Sequence, residues 1–161
     1  MIRARTKSVE DTRALAAELA PLARPGDLIL LAGGLGAGKT AFVQGLARGL
    51  GVADPVTSPA FVLVRSYEGR IPLVHLDVYR LDHLQEVLDL GIAELLDDDG
   101  VTVIEWGDVV VPALPADFLE VRLEAGDADD ERVVSLGTVG RTWPPRLSAI
   151  RNVVGRWAVE A

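Results

Sequence analysis

A short, wholly apolar segment that runs straight into a cluster of glycines constrains this chain more than any other feature. Leu28-Ile29-Leu30-Leu31-Ala32 leads into Gly33-Gly34-Leu35-Gly36-Ala37-Gly38-Lys39-Thr40, after which Phe42, Val43, Leu46 and Leu50 recur on one side of a helix ending at Gly49 or Gly51. A strand apolar at every position has to be covered on both faces, so it belongs inside a sheet flanked by other layers. The glycines let the backbone curl so that successive N–H groups converge, and the start of a helix adds positive partial charge. Gly33-x-x-x-x-Gly38-Lys39-Thr40 is the spacing of a phosphate loop, and it stands between the strand and the helix that such a loop requires. It predicts a nucleoside triphosphate site in which Lys39 reaches the β- and γ-phosphates and the Thr40 hydroxyl ligates Mg²⁺. Lys39 is one of only two lysines, against 14 arginines.

The remaining elements follow from periodicity and breakers. Ser8-Val9-Glu10-Asp11 is a helix start, with Leu15, Leu19 and Leu22 at helical spacing until Pro25-Gly26. Residues 53–60 hold Pro55 and Pro59 without periodicity and predict a loop. Strands near Phe61–Tyr67 and Ile71–Tyr79 are joined by the turn Glu68-Gly69-Arg70 as a hairpin. A helix is expected over 82–96, a strand over Val101–Trp106, and strands over Leu119–Glu124 and Arg132–Leu136 around the acidic turn Ala125–Asp130. Leu147, Ile150, Val154 and Trp157 suit a final helix face. The order predicts an α/β fold with a mixed parallel and antiparallel central sheet flanked by helices, and a length of 161 residues predicts one compact unit over 1–161.

Composition narrows the function classes. With 24 Asp+Glu against 16 Lys+Arg the net charge is −8, which argues against sequence-independent gripping of a nucleic-acid backbone. The imbalance is local: residues 77–131 carry 17 acids against Arg80 and Arg122, a balance of −15 that leaves +7 elsewhere. Arg3, Arg5 and Lys7 at one end, and Arg141, Arg146, Arg151 and Arg156 at the other, would form any basic surface. The absence of cysteine excludes disulfides and thiolate catalysis. Mean hydropathy is +0.26, yet no apolar run approaches the ~20 residues of a membrane helix, and no signal segment follows the basic opening, so a soluble, cytoplasmic chain without membrane contact is expected.

A phosphate-loop site usually completes its metal shell with an acid at the end of a neighbouring strand. Glu105, ending Val101-Thr102-Val103-Ile104-Glu105, and Asp77, in Leu73-Val74-His75-Leu76-Asp77, both qualify, and the residues alone do not choose between them. Period-two alternation puts His75, Asp77 and Tyr79 on one face of their strand. His75, Asp77 and His83 lack a zinc-ligand pattern, and Asp97-Asp98-Asp99-Gly100 lacks the ligand spacing of a calcium loop.

Taken together, Leu35-Gly36-Ala37-Gly38-Lys39-Thr40, Thr57-Ser58-Pro59-Ala60-Phe61, His75-Leu76-Asp77-Val78-Tyr79-Arg80-Leu81 and Ile104-Glu105-Trp106 resemble, in order and spacing, the TsaE (YjeE) family of bacterial P-loop ATPases. That family is required for threonylcarbamoyladenosine formation in tRNA. The resemblance runs from about Ser8 to about Leu123, with strands and a helix over about 119–158 matching only in general character. It implies that Gly36, Ala37, Gly38, Lys39, Thr40 and Ala41 hold the phosphates of ATP and that Thr12 contacts the nucleotide. It further implies that Thr40 and Glu105 ligate Mg²⁺ and that Asp77 serves hydrolysis by orienting, or taking a proton from, the attacking water. The Thr57–Phe61 segment resembles the family's switch loop, and Trp106 a position that responds to nucleotide or partner. Gly34 and Ala60 stand where the family commonly has Asp and Thr, which removes a carboxylate beside the phosphates and a hydroxyl from the switch loop.

The resemblance implies slow ATP hydrolysis coupled to the partners TsaB and TsaD, resetting or regulating the complex that modifies adenosine 37, with tRNA contact indirect or weak and confined to the basic ends. A small-molecule or nucleotide kinase, with Arg65, Arg70 or Arg80 over the γ-phosphate, and a nucleotide-gated binding module that does not hydrolyse are the alternatives.

Overall fold

The computed structural model describes residues 1–34, 36–57, 64–78, 91, 94, 96, 98–105 and 111–159. Along the chain the elements are β1 (Ile2–Thr6), α1 (Val9–Leu19), β2 (Leu28–Gly33), α2 (Lys39–Gly49), β3 (Val64–Tyr67), β4 (Leu73–Asp77), β5 (Val101–Glu105), β6 (Phe118–Ala125), β7 (Arg132–Val139) and α3 (Leu147–Val153). The expected helix over 82–96, the switch-loop residues Ser58–Phe61, and Tyr79, Arg80, His83, Asp97 and Trp106 lie outside the described residues or largely so.

The strands form one sheet in the order β1-β7-β6-β2-β5-β4-β3. The apolar strand β2 sits inside it, parallel to β5 on one side and to β6 on the other, as its lack of a polar face requires. β4 extends the parallel part beside β5, while the β3–β4 and β6–β7 pairs are antiparallel. The mixed α/β sheet read from the sequence is therefore the observed one.

One strand was not expected. Met1–Lys7 reads as a basic opening, but Ile2–Thr6 is an edge strand antiparallel to β7, with Ile2 opposite Leu136 and Thr6 opposite Arg132. The signal is strict alternation: Ile2, Ala4 and Thr6 are buried and Arg3 and Arg5 exposed, so the charges belong to the outer face of a pleated edge.

The sheet separates two clusters. On one face Ile29, Leu31, Val103, Val121 and Leu136 pack under α1 and α2, which contribute Leu15, Leu19, Phe42, Val43 and Leu46. On the other, Leu28, Leu30, Val74, Leu76, Val78, Ile104 and Phe118 form a smaller cluster. Ser8 starts α1 as expected, its side chain accepting from the Asp11 N–H at 3.0 Å. The two helices lie unusually close, because α2 turns Gly45 and Gly49 toward α1. A Cβ on Gly45 would stand 2.1 Å from the Arg13 carbonyl oxygen. At the C-terminal end, Ile150, Val154 and Trp157 are buried, and the Trp157 Nε1–H donates to Asp11 at 2.8 Å, fastening this segment to the start of α1.

Candidate functional site

The site gathers at the carboxyl ends of three adjacent parallel strands, β2, β5 and β4, where ligands of open α/β sheets are bound. β2 hands the chain to the loop at Gly33, whose backbone passes so close to β6 that a Cβ there would meet the Leu123 carbonyl oxygen at 2.4 Å. The loop closes on Gly38, which enters α2 with φ at +100°, a conformation that favours glycine. No side chain caps the start of α2, so the N–H groups of its first turn, those of Lys39, Thr40 and Ala41, lie at a helix N-terminus suited to an anion.

Lys39 is buried, and its ammonium donates to the carbonyl oxygens of Gly33 and Gly34, both at 2.9 Å, so the charge is held at the mouth of the loop. One residue on, the Thr40 hydroxyl faces Glu105, with Oγ1 3.4 Å from Oε1. Parallel pairing puts Asp77 beside Glu105 in register, both at strand ends on the face that α2 covers. Thr40, Glu105, Asp77 and Lys39 are thus brought together although they come from three separate segments.

The donor set suits a hard divalent cation. Thr40 Oγ1 and Glu105 Oε1 are oxygens close enough to ligate one Mg²⁺, whose ligands stand at ~2.0–2.1 Å and which keeps several water or phosphate oxygens as well. Of the two acids left open by the residues alone, Glu105 is the one beside Thr40.

Thr12 is placed differently from its neighbours in that expectation. It is buried in the first turns of α1, and its hydroxyl bonds to Thr6 Oγ1 at 2.7 Å and to the Ser8 carbonyl oxygen at 3.3 Å, which ties α1 to the edge strand β1. Thr57 is exposed, just after Val56, whose carbonyl oxygen accepts from Gln44 of α2 at 3.0 Å.

Two residues of the site escaped the sequence reading. Arg132, at the start of β7, donates to the Ala37 carbonyl oxygen at 3.0 Å and to that of Gly36 at 3.2 Å, while its other nitrogen holds the carbonyls of Asp129 and Glu131. Nothing local marks it among 14 arginines. His75, weighed only as a metal ligand, is fully buried and bonds through Nε2 to Glu105 Oε2 at 2.6 Å. A histidine in an otherwise apolar strand, two residues before an acid, was the available signal.

The basic ends are also redistributed. Arg146 is buried against Asp27, and Arg5 pairs with Glu131 at 2.9 Å, so neither adds free charge to a surface. Arg70, weighed for a γ-phosphate role, donates instead to the Ala20 and Ala23 carbonyls. No helix among the described residues is long and apolar enough to cross a membrane.

Residues 6–134 match the family model of the threonylcarbamoyl adenosine biosynthesis protein TsaE. The chain belongs to the TsaE family. It is 40% identical over 140 residues to the tRNA threonylcarbamoyladenosine biosynthesis protein TsaE of Bacillus subtilis, covering 86% of this chain and 87% of that one. The protein of the same name from Streptomyces coelicolor is 46% identical over 138 residues, covering 81% and 93%. A crystal structure of Bacillus subtilis YdiB superposes with a TM-score of 0.77 at 34% identity, over 97% of each chain. The TsaE model runs from the last residue of β1 to the first residues of β7, and so includes every side chain of the site, Arg132 among them.

Proposed function

We propose that this TsaE-family chain binds ATP with Mg²⁺ at the phosphate loop and hydrolyses it slowly, as a component of tRNA threonylcarbamoyladenosine formation that works with TsaB and TsaD. The observation that carries the reading is the approach of Thr40 Oγ1 to Glu105 Oε1, 3.4 Å apart beside the Lys39 ammonium. The glycine-rich loop and two oxygens suited to a hard cation stand side by side, which supports the reading. The names of the relatives support the pathway.

The roles follow from position. The amides of Gly36 to Ala41 hold phosphate oxygens, and Lys39 moves its ammonium from the loop carbonyls to the triphosphate. Thr40 and Glu105 would hold Mg²⁺, which would supply positive charge to the triphosphate when bound. Asp77, in register with Glu105, orients the attacking water and accepts its proton as the bond to the γ-phosphorus forms and ADP leaves. Thr12 contacts the nucleotide from α1, as the family resemblance implies. Hydrolysis changes the population of partner-bound states and so resets the modifying complex. Any tRNA contact is indirect or weak, and the chain works in the cytoplasm.

Phosphate release by the full chain, alone and with TsaB and TsaD, tests the reading. Asp77→Asn and Glu105→Gln are each expected to lower the rate about 100-fold or more. Wild-type rates in both variants would overturn it.

A further inference from the structure

His75 is the middle residue of β4, and its register partner on β5 is Val103. Its side chain is wholly buried on the face where the neighbouring positions of β4 and β5 are Leu73, Val101 and Val103. A leucine would fill such a place. An imidazole there has to find a hydrogen-bond partner or lose the solvation of its polar atoms uncompensated. The partner is Glu105, one diagonal step along the ladder, with Nε2 2.6 Å from Oε2.

Glu105 has the same need in stronger form. It is 3% exposed, and a buried carboxylate is retained when donors satisfy its oxygens. Its two oxygens are divided: Oε2 is held by His75, and Oε1 faces the Thr40 hydroxyl. His75 Nδ1 has no hydrogen-bond partner among the described residues. A proton on Nδ1 would therefore be a buried donor with no acceptor among the described residues, and Nε2 would then turn a lone pair toward a carboxylate. The hydrogen bonding assigns the proton to Nε2, aimed at Glu105.

We propose that His75 is a positioning residue for the metal carboxylate: its Nε2–H fixes Oε2 of Glu105, so that Oε1 stays turned toward Thr40 and the divalent cation of a nucleoside triphosphate. The proposal rests on the reading of Thr40 and Glu105 as cation ligands. Ligating carboxylates depend on such outer partners, whose removal typically weakens metal binding 10–100-fold. Without His75 the Glu105 carboxylate is free to rotate about its terminal bond and to present either oxygen, or to turn from Thr40 altogether.

The test is binding of Mn²⁺, in place of Mg²⁺, to the full chain with ATP, read by the electron paramagnetic resonance of free Mn²⁺. Metal-free ATP affinity and thermal unfolding are measured beside it. His75→Leu is expected to weaken Mn²⁺ binding about 10–100-fold while metal-free ATP affinity stays within about twofold. His75→Gln, whose amide nitrogen reaches the place of Nε2, is expected to restore most of the loss, and His75→Asn, whose amide falls short, to restore none. If the leucine variant does not fold, the glutamine and asparagine pair decides the matter alone. Wild-type Mn²⁺ affinity in His75→Leu, or equal affinities in the glutamine and asparagine variants, would overturn the proposal. A Glu105→Gln variant separates the two levels. Lost Mn²⁺ binding there beside a wild-type His75→Leu sinks only the role of His75, whereas unchanged binding in Glu105→Gln sinks the ligand reading and this proposal with it.

Discussion

Arg132 donates from Nε to the carbonyl oxygen of Ala37, a residue 95 positions earlier, and so braces the outside of the phosphate loop from the first residue of β7. The same guanidinium reaches Gly36 and the carbonyls of the β6–β7 turn, a fork geometry that an ammonium cannot reproduce. Arg132→Ala is expected to reduce ATP affinity about tenfold, close to 1.4 kcal/mol, the scale of one charge-assisted hydrogen bond. Arg132→Lys is expected to recover little of it. Equilibrium binding of ATP checks both, and full recovery in the lysine variant would show that charge alone, and not the brace, is what the loop uses.

Asp27 and Arg146 form a buried bidentate pair at 2.6 and 2.8 Å, joining the entry to β2 with the turn before α3. The arginine also stacks on Trp143, 3.7 Å from the ring centroid. Arg146→Leu strands the carboxylate and is expected to cost about 3–5 kcal/mol in urea unfolding. The double variant with Asp27→Asn is expected to be clearly less destabilised than the single one, because no unpaired charge remains. A single-variant loss below about 1 kcal/mol would contradict the pairing.

Gly45→Ala reverses the sign that local propensity would give. Alanine is favoured over glycine inside a helix by about 1 kcal/mol. Here its Cβ would meet the Arg13 carbonyl oxygen at 2.1 Å, with α1 backbone behind it. The variant is expected to lose about 1–3 kcal/mol, the usual cost of overpacking, and to show it as a lower Tm. An unchanged or raised Tm would mean that α1 can retreat freely.

Glu10 reaches from α1 to Arg48 of α2, and the hydrogen bond from Arg48 holds its carboxyl below the ordinary carboxylate value, with Arg13 assisting and partial desolvation opposing. A depressed folded value means that the pair stabilises at neutral pH and that this contribution is lost as pH falls through the lowered value. Glu10→Gln is therefore expected to lower Tm slightly at pH 7 and low salt, with the difference fading in acid and at high salt, since the pair is exposed. A difference that persists in acid would point to packing of the Glu10 side chain in place of charge.

The parts of the site legible in the sequence are those whose geometry is made by neighbours in the chain. Gly33 to Thr40 is such a part, because the turn, the left-handed Gly38 and the helix start are consequences of consecutive residue types. The face carrying His75 and Asp77 was legible too, since a strand alternates whatever surrounds it. The edge strand β1 is marked in the sequence only by the alternation of Arg3 and Arg5 with Ile2, Ala4 and Thr6, a pattern of five residues that a basic opening also fits.

Which acid stands beside Thr40 was not legible from the residues alone, because Asp77 and Glu105 end two adjacent strands and either could have been the nearer. The sheet order decided it, setting β5 between β2 and β4 and so bringing Glu105 to the loop with Asp77 one strand further out. The same holds for Arg132 at Ala37, for His75 behind Glu105 and for Arg146 inside the protein. Each is a contact across tens of residues whose partner is chosen by strand pairing and burial. The sequence by itself determined that the chain builds a glycine-rich loop between a buried strand and a helix, since hydrogen bonding and backbone freedom there are local. Only the tertiary structure decided what surrounds that loop, because a buried charge or imidazole takes whichever partner the packed sheet brings within hydrogen-bond reach.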